Sequence, residues 1–286
     1  MRSRLEQVGA SFLGGYHAAL EHSVSQQLID ELETIQAELR GFAYEGAAMG
    51  LALLDLFTPW QNSRLGQFLK GSGNSHTYMV HVGVGWIWAR TPGLFANSKG
   101  LDPLLRWLAF DGWGFHDGFF HGAKYLRGHP APKRLKGYER RVFDQGLGRS
   151  LWFINGGRPE RISASIQNLA PERHGDLWGG VGLAATYAGI VSAATLGDLR
   201  ERCGQHWPQL AQGAAFAAKA RQRAGNISDY TNLAVDCLCG VSVSEAAQLC
   251  DRTLENLPAT GPQPPYEVWR ERIQKHFAES PQLQTA

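Results

Sequence analysis

Cysteine is scarce in this sequence, and no two of its four cysteines form a Cys-x-x-Cys pair: Cys203, Cys237, Cys239 and Cys250. Such a set is typical of reduced, buried thiols, with a metal or disulfide role as the alternative. Net charge is also low, at +2, and a near-neutral chain offers no overall case for binding nucleic acid. We therefore expect neither a disulfide framework nor a nucleic-acid partner.

Long apolar runs are scarce as well. The N-terminus, from Met1 to Arg4, leads into a mixed segment without an apolar core, which predicts no signal peptide. Residues 177–197 carry no charge over a length that could span a bilayer. Five glycines keep this segment from being strongly apolar, so we interpret it as a buried helix and turn. These features predict a cytoplasmic protein, with a peripheral position at a membrane left open.

The common enzyme signatures are absent. The chain has no P-loop, no dinucleotide fingerprint after a strand, no Gly-x-Ser-x-Gly, no His-Glu-x-x-His and no acidic pair suited to magnesium. No metal ligands are therefore predicted, and any cofactor is unknown. A hydrophobic fraction of 43% with 19% charged residues is ordinary for a protein with a sizeable core.

What the sequence does contain is a recurring motif of small residues. Gly-x-Gly or Gly-x-Ala, followed by apolar residues, begins at Gly46, Gly83, Gly112, Gly146, Gly180 and Gly213, with a weaker copy at Gly15. The steps are 31, 37, 29, 34, 34 and 33 residues, close to the length of one helix–turn–helix repeat. Glycine inside a helix costs about 1 kcal/mol relative to alanine. Its repetition therefore favours close packing of helix backbones over chance.

These observations predict an all-α fold. We expect a helical-repeat solenoid of about seven helix–turn–helix units with a period near 34 residues, forming one domain over residues 1–257. Residues 258–286 are predicted to form a proline-rich linker and a short amphipathic helix. That helix could cap the repeats, or contact a partner or a membrane surface.

The residue just before the first glycine is polar in four of the six clear copies of the motif: Glu45, Asp111, Gln145 and Gln212. Arg149 follows Gln145 by four residues and shares its helix face. A polar group buried without a partner costs about 1–3 kcal/mol. These side chains should therefore either point into a shared groove or tie neighbouring helices together, and the sequence leaves both open.

The densest cluster of chemical groups lies in residues 111–121, with His116, Asp117 and His121. Asp117 and His121 are four residues apart, a spacing that suits a carboxylate orienting an imidazole for proton transfer. His81 belongs to the preceding repeat. Acid–base chemistry, metal binding and purely structural histidines all remain possible interpretations of this cluster.

Aromatic residues accompany these motifs and would suit a hydrophobic groove or an ordinary core: Trp86, Trp113, Phe115 and Trp152 among others. Residues 122–141 break the pattern and are rich in lysine and arginine. This segment is predicted to be a solvated loop, with docking of an acidic partner as the alternative.

Seven runs of this sequence resemble one known family: residues 44–49, 78–86, 101–108, 111–118, 143–149, 176–182 and 211–221. They look like the UnbL-type enediyne biosynthesis protein family, a domain of unknown function encoded beside enediyne polyketide synthases. The resemblance covers roughly residues 12–257. It implies a role in converting a linear polyene into the enediyne core, alongside companion proteins of which some are membrane-embedded. It implies no catalytic residues.

Two hypotheses of function follow. In the favoured one, the protein is an enzyme or enzyme subunit, of unknown reaction type, that holds a hydrophobic polyene. Its predicted catalytic residues are Glu45, Asp111, His116, Asp117, His121 and Arg149. Its predicted substrate-binding residues are His81, Trp86, Trp113, Phe115, Gln145, Trp152 and Gln212. In the alternative, the protein is a non-catalytic scaffold that assembles the synthase with partner proteins through the basic segment or the C-terminal helix.

Overall fold

The computed structural model describes residues 2–61, 63–92 and 100–280, and every α or β element within these ranges is a helix. The predicted all-α class is therefore confirmed. The α-helices are α1 (Arg2–His22), α2 (Gln26–Thr34), α3 (Ala37–Phe57), α4 (Arg64–Lys70), α5 (Thr77–Arg90), α6 (Leu108–Leu126), α7 (Tyr138–Ile154), α8 (Pro159–Gln167), α9 (His174–Tyr187), α10 (Ala193–Cys203), α11 (Trp207–Arg223), α12 (Asp229–Cys239), α13 (Val243–Leu254) and α14 (Pro265–Ala278).

Seven long helices form a row in which each packs along the next: α1, α3, α5, α6, α7, α9 and α11. Neighbours in the row run parallel. Gly46 of α3 lies against the Phe12 carbonyl of α1, and Gly50, one turn further on, lies against the carbonyl of Tyr16. These seven helices carry the recurring glycine motif and supply most of the core.

The motif glycines are required by the closeness of the helix backbones. A Cβ atom added at Gly146 would lie 1.8 Å from the carbonyl oxygen of Asp111 on the preceding helix, and one added at Gly180 would lie 1.9 Å from that of Gln145. No side chain can occupy such a position without moving a helix. In both contacts the carbonyl belongs to the residue just before the motif glycine of the neighbouring helix, so the two motifs meet in register.

A solenoid of about seven helix–turn–helix units with a 34-residue period is not confirmed. Short helices lie in four of the connections, namely α2, α4, α8 and α10, but residues 127–137 join α6 to α7 without a helix. The row also returns on itself. Arg221 of α11 donates a 2.9 Å hydrogen bond to the carbonyl of Glu38 near the start of α3. The long helices therefore wind around an interior.

The basic segment is shorter than predicted. Helix α6 continues to Leu126 and α7 begins at Tyr138, so the connection is 127–137 instead of 122–141. Arg141, predicted to lie in the loop, is on α7 and pairs with Asp176 of α9 at 2.9 Å.

The C-terminal helices complete one side of the molecule. Helix α14 lies against α11 and α13, and its predicted apolar face is buried: Tyr266, Trp269, Ile273 and Phe277. Burial of these four side chains explains why the helix docks on the long helices. The division of the chain at residue 257 stays a prediction.

In the ranges that the structure describes, no single helix is both long enough and apolar enough to cross a bilayer, and the bent pair of α12 and α13 reaches that length and composition together.

Candidate functional site

A cavity of about 1040 Å³ lies among α1, α3, α5, α6 and α7. Its walls are mainly apolar and aromatic: Val8, Phe12, Tyr16, Phe42, Met49, Trp86, Phe115, Phe119, Phe120 and Phe153. One end of the lining is buried and includes Glu45 and Arg149, whereas Phe119 and Phe120 are 44% and 51% exposed at the other. The cavity thus has a buried end and an exposed rim.

Glu45 supplies a carboxyl group to the buried end. It sits in the middle of α3 with 2% of its surface exposed, and the indole nitrogen of Trp86 on α5 donates a 3.1 Å hydrogen bond to Oε1. Burial raises the pKa of Glu45 to about 7, against the opposing effects of Arg149 and of the Trp86 hydrogen bond, while Asp111 adds to the rise. A carboxyl group with this pKa gains or loses a proton near neutral pH.

Arg149 supplies a buried positive charge to the same end. Its Nη1 donates to the Asp111 carboxylate of α6, and its guanidinium lies 5.0 Å from the centre of the Phe115 ring. The Nε–H group is buried and has no hydrogen-bond partner within the described residues. Gln145 donates a 2.7 Å hydrogen bond to the other oxygen of Asp111. Asp111 therefore balances the charge of Arg149 from behind the cavity wall.

Four of the predicted site residues line the cavity: Glu45, Trp86, Phe115 and Arg149. Asp111 and Gln145 lie behind them and hold Arg149. Gln212 lies elsewhere, because its Oε1 accepts hydrogen bonds of 3.2 Å from Arg270 and Gln274 of α14. The structure thus brings Glu45 and Arg149 to one surface, as the groove interpretation expects, and uses Gln212 to tie two helices together.

The predicted pairing of Asp117 with His121 does not form. The backbone of His121 leaves helical geometry, with φ −126° and ψ 22°, and its side chain is exposed. Because the helix is kinked there, the four-residue spacing no longer stacks the two side chains. Asp117 lies 3.1 Å from Nδ1 of His116 and accepts a 2.6 Å hydrogen bond from the Tyr125 hydroxyl.

Two further predicted residues border a second, smaller space. Trp113 and Asp117 line a cavity of about 460 Å³ together with Lys124, Lys133 and Arg134. His116 lines neither space and packs edge-on against the Trp86 ring, with centroids 5.6 Å apart.

His81 and Trp152 are fully buried away from both spaces. The Nδ1 atom of His81 is 2.7 Å from the Thr77 carbonyl, and its Nε2 accepts a 3.0 Å hydrogen bond from the Asp102 amide. Burial lowers the pKa of His81. These contacts hold the start of α5 against the segment before α6.

Metal-ligating side chains are dispersed in the described ranges, where His, Cys, Asp and Glu form no group of three that could hold an ion. The four cysteines carry free thiols, and three of them are buried. Burial raises the pKa of Cys203 to about 12, so this thiol is neutral at physiological pH.

Several cavity residues are missing from the predicted catalytic and substrate-binding residues, although a simple signal points to them. Met49, Arg90, Phe119 and Phe153 each follow a predicted cavity residue by four positions on the same helix. One helical turn separates such positions on a common face. The contribution of α1, through residues such as Phe12 and Tyr16, carries no comparable signal.

Fold and cavity together define a class: an all-α protein whose long helices enclose an aromatic cavity with a buried carboxyl group on its wall. The chain belongs to the family described as "Protein of unknown function (DUF1702)", whose model matches residues 1–277. That match includes α14 up to its penultimate residue. The chain matches no curated protein and no solved structure.

Proposed function

We propose that this protein acts in enediyne natural-product biosynthesis, where it binds a hydrophobic, polyketide-derived polyene and exchanges a proton with it through Glu45. One observation carries the proposal: the carboxyl group of Glu45 lies on the wall of a large aromatic cavity, and burial raises its pKa to about 7.

The cavity suits a conjugated chain in size and in lining. Its volume of about 1040 Å³ lies slightly above the ~300–1,000 Å³ typical of small-molecule pockets. Rings such as Phe12, Trp86 and Phe115 pack against one another along the wall, with Phe12 and Trp86 centroids 4.3 Å apart. Aromatic faces offer stacking surfaces for a flat, conjugated ligand.

The buried end suits proton transfer. At neutral pH a group with a pKa near 7 is present in both protonation states, so Glu45 can act as either acid or base. Arg149 lines the same end and has a buried Nε–H group without a partner in the described ranges. The positive charge of Arg149 can attract a polar atom of the ligand to the position beside Glu45.

The choice of a polyene rests on the resemblance of the sequence runs to the UnbL-type family. The same resemblance supports contacts with companion proteins, including membrane-embedded ones. The location proposed from the sequence is cytoplasmic, with a peripheral position at a membrane left open. The recurrent glycine contacts support a helical-repeat origin for the row of long helices.

Co-expression with an enediyne synthase cassette tests the proposal. Products are read by mass spectrometry for the wild type, Glu45→Gln, Asp117→Asn and the surface control Glu172→Gln. We expect the polyene to accumulate with Glu45→Gln and not with Glu172→Gln, while circular dichroism and melting temperature show that both variants fold. Asp117→Asn distinguishes the role of Glu45 from that of Asp117, because Asp117 lies outside the large cavity. Unchanged products from folded Glu45→Gln would contradict the proposal.

The scaffold hypothesis draws on a different surface. Lys133, Arg134 and Lys136 are exposed on the connection between α6 and α7. If the protein assembles partners through this surface, reversing these three charges should disrupt the assembly, and Glu45→Gln should leave product formation unchanged.

A further inference from the structure

The lining of the large cavity carries an excess of positive charge. It contains five arginines, Arg2, Arg90, Arg149, Arg158 and Arg161, and two glutamates, Glu6 and Glu45. Two of the arginines are balanced. Arg2 pairs with Glu6 at 2.8 Å, and Arg149 pairs with Asp111.

The other three arginines lie at the rim. Arg90 ends α5, Arg158 precedes α8 and Arg161 lies in the first turns of α8, and all three are exposed. Within the described ranges none of them has an ion-pair partner by a 4.0 Å criterion. The guanidinium of Arg90 instead lies 5.8 Å from the centre of the Phe120 ring. One rim thus combines aromatic surface with unbalanced guanidinium groups.

The backbone at the rim, like the three arginines, favours a negatively charged ligand group. Helix α8 begins at Pro159 without a side chain that caps its first amides, and Arg158 and Arg161 flank this first turn. The amino end of a helix carries a partial positive charge, which favours an anion near it.

We propose that Arg90, Arg158 and Arg161 bind the anionic end group, a carboxylate or a phosphate, of an amphipathic ligand whose apolar chain fills the aromatic cavity. This inference rests on the proposed function and narrows its substrate class from any hydrophobic polyene to an anionic one. Guanidinium groups recognise both carboxylates and phosphates through paired N–H donors.

This arrangement also orients the ligand. The anionic end stays at the rim, where water and three arginines solvate it, because a charge at the buried end would lose its hydration. The apolar chain then extends inwards, and Glu45 and Arg149 meet a part of the chain remote from the anionic group. The cavity would thereby direct chemistry to an internal or distal position of the chain.

Binding of a matched pair of fluorescent polyenes tests the inference. The probes are cis-parinaric acid, a conjugated tetraene with a carboxylate, and its uncharged methyl ester, titrated into the full-length protein at low salt. Dodecyl phosphate and dodecanol serve as competitors that distinguish a phosphate from a carboxylate end group. The rim variant is Arg158→Gln/Arg161→Gln, with Arg90→Gln measured separately. The matched control, Arg127→Gln/Arg252→Gln, removes two exposed arginines that do not line the cavity.

We expect the acid to bind about tenfold more tightly than the ester, since each partly exposed ion pair contributes up to about fivefold in affinity. The rim variant should lose this preference while its affinity for the ester stays the same, and the control should keep it. Displacement by dodecyl phosphate but not dodecanol would extend the site to phosphates, and displacement by neither would restrict it to carboxylates.

Equal binding of acid and ester by the wild type, or a rim variant that keeps the preference, would overturn the inference and leave the proposed function standing. Binding of neither probe would overturn both, because the proposed function requires a polyene in this cavity.

Discussion

Trp86 donates a hydrogen bond to Glu45 across the boundary between α5 and α3, with 3.1 Å between the indole nitrogen and Oε1. Both side chains line the large cavity. The hydrogen bond fixes the orientation of the carboxyl group and favours its ionised form, yet burial is the larger effect and raises the pKa of Glu45 to about 7. This hydrogen bond therefore links α5 to the carboxyl group of Glu45, on which the proposed proton transfer depends.

The raised pKa of Glu45 predicts a pH-dependent stability difference. Between pH 4.5, the ordinary pKa of this carboxyl group, and pH 7, the folded protein binds more protons than the unfolded chain, so this group makes stability fall as pH rises. Glu45→Gln has no proton to lose, so its stability relative to the wild type should rise across this range, by about 3 kcal/mol in all.

Urea unfolding at pH 5, 6, 7 and 8 measures this difference. Glu172→Gln, an exposed glutamate outside both cavities, is the control and should differ from the wild type by a constant amount. A constant difference for Glu45→Gln as well would show that the carboxyl group is not held protonated by burial.

The buried pair of Asp111 and Arg149 predicts strong non-additivity. Asp111→Leu removes the hydrogen-bonded carboxylate partner of Arg149 in a position that is 4% exposed, and loss of one partner of such a pair costs about 3–5 kcal/mol. Arg149→Met should be similarly destabilising, whereas the double variant should cost clearly less than the sum. A double-mutant cycle by urea unfolding tests this, and strictly additive losses would mean that the two charges do not support each other.

The backbone contact at Gly146 leaves no room even for the methyl group of an alanine at this position. A Cβ atom there would lie 1.8 Å from the Asp111 carbonyl oxygen, whereas one at Gly14 of α1 meets nothing within 4 Å. Gly146→Ala should destabilise the protein by about 2 kcal/mol or more, in the range of overpacked cores. Gly14→Ala should stabilise it by about 0.5–1 kcal/mol, because alanine favours the helix. Melting temperatures of the two variants should therefore move in opposite directions.

Because Arg270 is fully buried, we predict that lysine cannot replace it without loss of stability. Its guanidinium donates to Asp176 at 2.8 Å, Glu267 at 3.1 Å, the Tyr138 hydroxyl at 3.2 Å and Gln212 at 3.2 Å. A lysine ammonium offers a single point of charge in place of this planar fork. Arg270→Lys should therefore lower stability by about 3 kcal/mol or more.

Proteolysis should show that α14 detaches first in Arg270→Lys. The exposed Arg252→Lys is the control and should leave both stability and proteolysis unchanged. A lysine variant as stable as the wild type would mean that the apolar face of α14 holds it without these hydrogen bonds.

Much of the fold could be predicted because its signals are local. The helical class follows from apolar spacing, and the packing role of the glycines follows from the repeated cost of placing glycine in a helix. The sequence signal for the apolar face of α14 is also local, and all four of its predicted residues are buried. The predicted uniform helix pairs are not confirmed, because motif spacing cannot distinguish a connection that contains a helix from one, such as 127–137, that does not.

The candidate site was partly predictable for the same reason. Glu45 and Arg149 were predicted from their positions next to the motif glycines, and both line the cavity. The prediction works for them because equivalent positions on parallel helices point in similar directions. The same rule misplaces Gln212, whose side chain bonds to Arg270 of α14. It also cannot foresee the kink at His121, which separates that imidazole from Asp117.

The sequence by itself determined the helices, the faces they bury and the positions of the glycines along them, since these depend on residues a few positions apart. Only the tertiary structure decided which polar groups face a cavity. The row of helices must first curve until Arg221 of α11 reaches Glu38 of α3, 183 residues away. Burial of Glu45, and with it the rise of its pKa, is likewise decided by the tertiary structure, because desolvation depends on every element packed around a group and not on its neighbours in the chain.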